Sequence, residues 1–161
     1  MTALRIDFVK SPAKISDTAV IGLFSDRKLT DTAKTVDTML GGIIKHQLKE
    51  TTPFKASAGS TMNIALPPKA PYTLLGLGDA EKLTPALAET AGGRLFATLK
   101  SLGAENAVVL NLEELDTEVS LELSVALGAR LGTYEFEHYK TIGKDKKKKE
   151  PDASLKTLSF I

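Results

Sequence analysis

The chain has 161 residues, a length that fits one domain with room for a sizeable core. Hydrophobic residues make up 42% and charged residues 25%, which excludes a wholly disordered chain. The net charge of +1 argues against a strongly basic nucleic-acid binder, and the absence of cysteine excludes disulfides, thiolate zinc sites and cysteine nucleophiles. No apolar run is long enough to cross a bilayer. We therefore expect a cytoplasmic protein with no membrane contact.

Six segments have the pattern of β-strands. They either alternate apolar and polar residues or are apolar on both faces, as half-buried and central strands are. The predicted strands are Leu4–Val9, Thr18–Phe24, Thr61–Leu66, Tyr72–Leu77, Ala107–Leu112 and Leu155–Ile161. Two pairs of consecutive strands have no helix between them, so we expect a mixed rather than an all-parallel sheet.

Two segments with apolar residues spaced by three and four predict amphipathic helices. The first covers Asp31–Leu48 after a cap at Thr30 or Asp31 and contains Gly41 and Gly42. Because each glycine lowers helix propensity by about 1 kcal/mol, we attribute this pair to close packing on the sheet. The second helix lies within Thr84–Gly103, with proline after its N-cap and glycine at its end.

The segment Val119–Leu127 fits either a strand or a helix. Its apolar residues alternate, but Leu123, Leu127 and Leu131 also share one helical face. Asp116–Thr117 would cap a helix, which favours the helical interpretation. Strands that alternate with helices predict an α/β fold, with a mixed β-sheet flanked by helices on both faces.

No segment carries a catalytic, cofactor-binding or metal-binding pattern, and we predict none. Gly76-Leu77-Gly78 follows a buried strand and could cradle a phosphate, but its spacing fits neither nucleotide motif, so a tight turn is favoured. His46 and His138 have no second histidine or cysteine at metal-ligand spacing, which indicates a helix-end or surface position. The Glu113-Glu114 pair precedes a helix and would complement its dipole.

A lysine-rich segment is predicted as a solvated loop over residues 141–154. Residues 140–149 carry a charge of +5, whereas the rest of the chain carries −4. Lys146–Lys149 could therefore contact the phosphates of DNA, which remains an alternative. The run contains no aromatic residue to stack on bases, so the solvated loop is favoured.

Four stretches resemble the N-terminal domain of the leucyl (cytosol) aminopeptidases. They are Ala19–Leu23, Leu40–Ile43, Leu74–Gly78 with Glu81–Leu83, and Gly128–Lys140. The last is the most specific, because a helix with this glycine, aromatic and acidic pattern closes that domain in the family. The resemblance spans essentially the whole chain and implies a macro-domain-like fold.

The resemblance implies that the chemistry lies elsewhere. In the family, a separate C-terminal domain binds two divalent metals, zinc or manganese, and carries a signature that begins Asn-Thr-Asp-Ala-Glu. Here Asn63, Asn106 and Asn111 are not followed by Thr-Asp. The resemblance thus implies a non-catalytic N-terminal domain of a metalloexopeptidase, a hydrolase that removes N-terminal amino acids from peptides. This chain alone is expected to be inactive and to need no cofactor.

Three parts of the chain follow from this interpretation. Residues 1–140 would form the macro-like domain, residues 141–154 the lysine-rich loop, and residues 155–161 a final strand that leads to the catalytic domain. The apolar end at Phe160-Ile161 suggests a piece of a longer chain. A stand-alone module that binds a nucleotide or ADP-ribose is the alternative.

Assembly is expected to depend on the missing domain. The family resemblance implies a homo-hexamer for the full-length protein, with the N-terminal domains at the periphery. The aromatic content of 6% is low for an interface, and the sequence shows no long apolar stripe beyond the helix faces needed for the core. We therefore predict a monomer or a weak dimer, the latter formed through an edge strand near Leu155–Ile161.

Overall fold

The computed structural model describes residues 4–8, 18–26, 29–50, 54–66, 69–110, 112, 120–142 and 155–161. These residues form one six-stranded sheet with helices on both faces. The strands are β1 (Arg5–Phe8), β2 (Thr18–Leu23), β3 (Thr61–Leu66), β4 (Lys69–Gly76), β5 (Asn106–Leu110) and β6 (Thr157–Phe160). The helices are α1 (Asp31–Met39), α2 (Ile43–Glu50), α3 (Pro85–Ser101) and α4 (Leu121–Ile142), with a short 3₁₀ turn at Ala80–Lys82.

The strand order is β1-β6-β5-β2-β4-β3. Every neighbouring pair is parallel except β3 and β4, which are antiparallel. The mixed sheet is confirmed, and its mixed character comes from this one pair, which is joined without a helix. β2 is buried along its whole length, as its two apolar faces predict.

Two hydrophobic cores lie on opposite faces of the sheet. One core is formed with α3 and α4, and the other with α1, α2 and the loop before β3. Alternate residues of β2 divide between them, because Val20 belongs to the first core and Ile21 to the second. The predicted placement of helices on both faces is therefore confirmed.

The single helix predicted over Asp31–Leu48 is wrong, because the chain forms two helices with a break at Gly41 and Gly42. Both glycines have positive φ, +77° and +83°. The Gly42 N–H donates to the Asp37 carbonyl at 2.7 Å and the Gly41 N–H to that of Thr38 at 3.1 Å, the paired bonds of a Schellman motif. Close packing is not the reason for these glycines, since a Cβ at either would meet nothing within 4 Å. Their left-handed backbone is the reason.

The helix predicted within Thr84–Gly103 is confirmed with its cap, because the Thr84 hydroxyl accepts a hydrogen bond from the Leu87 N–H at 3.2 Å.

The helical interpretation of Val119–Leu127 is confirmed from Leu121 onward. This helix is longer than expected and includes the first two residues of the predicted loop 141–154. The proposed cap at Asp116–Thr117 lies outside the described residues.

Glycines bring α3 and α4 into close contact. A Cβ at Gly92 would overlap the Val125 carbonyl oxygen, and a Cβ at Gly128 would overlap the Glu89 carbonyl oxygen. Gly132 faces the Phe96 ring at 3.2 Å from the position its Cβ would take. We call this contact the glycine seam. It gives a structural reason for the glycines of the stretch Gly128–Lys140.

Candidate functional site

The turn at Gly76-Leu77-Gly78 follows β4 and was the one candidate for a phosphate cradle. Gly78 has φ +77°, as a tight turn requires. All three N–H groups donate to main-chain carbonyls, to Ser60 at 2.7 Å, Leu23 at 2.8 Å and Ala56 at 2.9 Å in chain order. A phosphate bound there would need these donors free. The geometry therefore supports the tight turn.

The loop before β3 closes this end of the sheet. A Cβ at Gly76 would overlap the Ser57 carbonyl oxygen and the Ser60 hydroxyl oxygen, so the loop lies directly on the main chain of β4. Ala56 in the loop is buried and has φ +52°, an unusual conformation for a residue with a side chain. The Ser25 N–H, just after β2, donates to the Gly78 carbonyl at 2.8 Å. The carboxyl ends of β2 and β4 are thus covered by the protein's own backbone.

Among the described residues, the remaining candidates do not come together into a site. His46 lies on the exposed side of α2. His138 falls in α4, where the structure does not describe its side chain, and Glu113-Glu114 and Lys146–Lys149 lie outside the described residues. Within the described ranges, no group of three His, Cys, Asp or Glu side chains could hold a metal ion. None of the described helices combines the length and the apolar character needed to cross a membrane.

Asp37 is the one buried carboxylate among the described residues, and its chemistry is that of a helix cap. Its Oδ1 accepts hydrogen bonds from the Ile44 N–H at 2.7 Å and the Lys45 N–H at 3.3 Å. These donors belong to the first turn of α2, where N–H groups lack a partner within the helix. The Asp37 carboxylate is therefore already used by main-chain N–H groups, and the possible metal ligands among the described residues do not fit a two-metal centre. Sequence reasoning missed this cap because Asp37 lies seven residues before the N–H group it binds.

α4 presents an apolar row to solvent. Leu123, Leu127 and Leu131 are 62%, 47% and 47% exposed, and we call these three residues the leucine ridge. Over residues 121–133, where the structure describes the side chains of α4, the buried residues are Leu121, Val125, Ala126, Gly128 and Ala129. The alignment of the three leucines correctly indicated a helix, but the core lies against other residues. The expectation of no long apolar stripe beyond the helix faces needed for the core did not anticipate this exposed row.

The relatives of this chain are cytosol aminopeptidases. The family model described as "Cytosol aminopeptidase family, N-terminal domain" matches residues 20–143. A protein of Alkaliphilus metalliredigens named "Probable cytosol aminopeptidase" is 28% identical over 140 residues, which are 83% of this chain and 28% of the relative. One of Caulobacter vibrioides with the same name is 25% identical over 150 residues, 90% of this chain and 29% of the relative. The chain thus spans less than a third of the length of these curated relatives.

The fold is shared with aminopeptidases and with macrodomains. A tomato leucine aminopeptidase matches 99% of this chain with 32% of its own, at a TM-score of 0.74 and 20% identity. The macrodomain of Thermus aquaticus DarG matches with a TM-score of 0.65 over 97% of each chain, at 8% identity. At these identities the likeness concerns the fold, which is macro-domain-like as expected. The family match covers most of the chain, so this chain belongs to the cytosol aminopeptidase family, within which it corresponds to the N-terminal domain.

Proposed function

We propose that this chain serves as the non-catalytic N-terminal domain of a two-metal aminopeptidase that removes N-terminal amino acids from peptides. The observation that carries the proposal is the match of residues 20–143 to the N-terminal domain of the family. The relatives are more than three times as long as the aligned segment, which is 28% of the first. We therefore assign the chemistry to the part of such a protein that follows this domain.

The described residues support this division of labour. In such an enzyme the two divalent metals, zinc or manganese, would polarise the scissile carbonyl and activate a water molecule. The described part of the chain offers no cluster of ligands for them, and the carboxylate of Asp37 is occupied by main-chain N–H groups. No step of the reaction is assigned to a residue of this chain.

The domain would act through its surfaces. Its partner would be the catalytic domain of the same protein, and the full-length protein would form a homo-hexamer in the cytoplasm. The name that the relatives share, cytosol aminopeptidase, supports this location. A domain with two hydrophobic cores and a sheet end covered by its own backbone suits a role in assembly, stability or access to the catalytic site.

The proposal is tested by assaying the purified 161-residue chain on leucine p-nitroanilide with added manganese. We expect no hydrolysis above a protein-free blank, and the full-length Alkaliphilus metalliredigens relative provides the comparison under the same conditions. Turnover that persists at constant specific activity through a second, different purification would contradict the proposal, since it would place the chemistry in this chain.

A genetic observation complements the assay. The coding sequence downstream of the Ile161 codon is expected to encode the Asn-Thr-Asp-Ala-Glu signature of the catalytic domain in the same reading frame. A stop codon at that point in the native gene, with no catalytic domain encoded beside it, would remove the proposed partner and contradict the proposal.

A further inference from the structure

Phe8 is a half-exposed aromatic residue at the carboxyl end of β1. It is 51% exposed, and its ring stacks on the ring of Phe160 with the two centroids 5.3 Å apart. Phe160 is only 1% exposed and belongs to the core formed with α3 and α4. The two residues are direct partners in the parallel register of β1 and β6, so their side chains lie on the same face of the sheet. We call this pair the aromatic corner, because one of its rings is buried and the other meets solvent.

The apolar face of β1 becomes more exposed toward this corner. Leu4 is buried in the core, Ile6 is partly buried against the same core, and Phe8 is half exposed. Side chains on the opposite face of the strand are charged, since Arg5 and Asp7 form an ion pair at 3.0 Å. The core on the side of α3 and α4 is therefore incomplete at the last residue of β1, and an apolar side chain placed there would extend it.

The position of β6 differs from the expectation of an edge strand near Leu155–Ile161. β6 pairs with both β1 and β5, so it has no free edge, and the prediction of an edge-strand dimer through this segment is therefore wrong. The ladder continues one residue beyond the strand, because the Ile161 N–H donates to the Val109 carbonyl at 3.0 Å. A residue joined to Ile161 is thus held at the carboxyl end of the sheet, between β1 and β5.

The alternation of side chains directs such a residue toward Phe8. Phe160 lies in the core on the side of α3 and α4, whereas Ile161 packs against the core on the other face. Successive residues of an extended chain point to opposite faces, so a residue that follows Ile161 in this conformation shares the face of Phe8. Two residue rises along the strand and one strand spacing place its Cα about 8 Å from that of Phe8. Diagonal neighbours at this distance are within reach of aromatic and other long side chains.

We propose that the residues directly after Ile161 in the longer protein cover Phe8 with an apolar side chain and so anchor the catalytic domain at the aromatic corner. This inference rests on the proposed function, which places that domain after Ile161. The exposed half of a phenylalanine offers roughly 100 Å², far less than the roughly 800 Å² per partner that a separate protein needs for a stable complex. A segment of the same chain has no such requirement, because the covalent link keeps it at a high effective concentration.

Labelling of a single thiol tests the proposal. The 161-residue chain has no cysteine, so Phe8→Cys introduces a unique thiol, and mass spectrometry of the peptide that contains position 8 follows its reaction with N-ethylmaleimide. We expect rapid labelling in the 161-residue chain and labelling that is about tenfold slower in the full-length protein, where the site is covered. Met39→Cys is the matched control, because Met39 is 80% exposed on α1 and should react at the same rate in both proteins.

The outcomes separate this inference from the proposed function. Hydrolysis of leucine p-nitroanilide by the full-length protein, together with equally rapid labelling at position 8 in both proteins, would overturn the inference and leave the proposed function intact. Slow labelling already in the 161-residue chain would show that another segment of that chain covers the site, and would also overturn it. Protection that appears in the 161-residue chain only at high concentration would assign the cover to a second copy, with the same consequence. A full-length protein without activity would contradict the proposed function itself.

A second variant keeps the apolar contact. Phe8→Trp retains a large ring, and the 161-residue chain has no tryptophan of its own, so its emission there reports this position alone. After subtraction of the emission of the parent protein, we expect acrylamide to quench this tryptophan several-fold less in the full-length protein than in the 161-residue chain. Equal quenching in the two proteins would overturn the proposal even if Phe8→Cys had disturbed the fold.

Discussion

The Asp37 carboxylate holds the start of α2 although it belongs to α1. Only 2% of this residue is exposed, and its Oδ1 accepts hydrogen bonds from the N–H groups of Ile44 and Lys45. Its own carbonyl accepts the Gly42 N–H that closes the Schellman motif. One residue thus satisfies donors on both sides of the break between the helices, so the angle between α1 and α2 depends on it.

Replacing Asp37 tests this role. Asp37→Ala leaves the buried Ile44 N–H and the partly buried Lys45 N–H without their acceptor, which costs about 1–3 kcal/mol of the free energy of unfolding. Thr38→Ala is the neighbouring control. The Thr38 hydroxyl donates to the Lys34 carbonyl on the exposed side of α1, and its loss should change stability by less than about 0.5 kcal/mol. Urea unfolding followed by circular dichroism measures both, and equal stabilities for the two variants would show that the cap is dispensable.

At the scale of elements, the glycine seam fixes the distance between α3 and α4. Gly92 and Gly128 each lie against a carbonyl oxygen of the other helix, and main-chain atoms cannot yield as the end of a flexible side chain can. Gly93, adjacent to Gly92 in sequence, has more room, since its Cβ would lie 3.5 Å from the Gly128 oxygen. The close approach of the two helices therefore requires glycine at position 92 but not at position 93.

This difference gives a matched pair of substitutions. Gly92→Ala is expected to lower the free energy of unfolding by about 1–3 kcal/mol, because the added methyl group forces the helices apart. Gly93→Ala makes an ordinary contact and gains helix propensity, so stability should stay the same or rise by up to about 1 kcal/mol. The midpoints of urea unfolding of the two variants are compared with that of the parent chain. If both substitutions shift stability in the same direction, the seam does not control the packing.

The sequence predicted most elements, because periodicity and capping residues are local signals. The strands, the Thr84 cap and the helical form of Val119–Leu127 depend on neighbours within a few residues, and the structure confirms them. The break at Gly41-Gly42 was missed because an apolar pattern continues through it. The interior place of β6 was also missed, since strand order depends on contacts distant in sequence.

The candidate site was predictable to the same extent as the fold. The turn at Gly76–Gly78 was correctly predicted as tight from its glycines. The carbonyls that accept its N–H groups belong to segments distant in sequence, so they could not be predicted.

At the scale of the whole molecule, two unrelated kinds of protein share this fold. The chain matches aminopeptidases through its sequence and macrodomains through its structure alone. A shared fold does not carry a shared ligand, since function depends on the groups at the site. In this chain the carboxyl end of β4 is closed by the loop that contains Ala56, that of β2 is bonded to the turn at Leu77-Gly78, and the turn donors are already bonded. The N–H groups that a phosphate would need at this turn are therefore already used within the chain.

This closure predicts that ADP-ribose does not stabilise the chain. A ligand present at one hundred times its Kd would raise the free energy of unfolding by about 2.7 kcal/mol. For a domain of this size such a gain raises Tm by several degrees, on the order of 2–4 °C for each kcal/mol. We expect no shift of Tm with 1 mM ADP-ribose and no heat of binding by calorimetry, because the backbone donors of Gly76, Leu77 and Gly78 would first have to leave their carbonyl acceptors. A saturable shift together with micromolar binding would show that the loop opens, and would favour a nucleotide-binding module over an accessory domain of a peptidase.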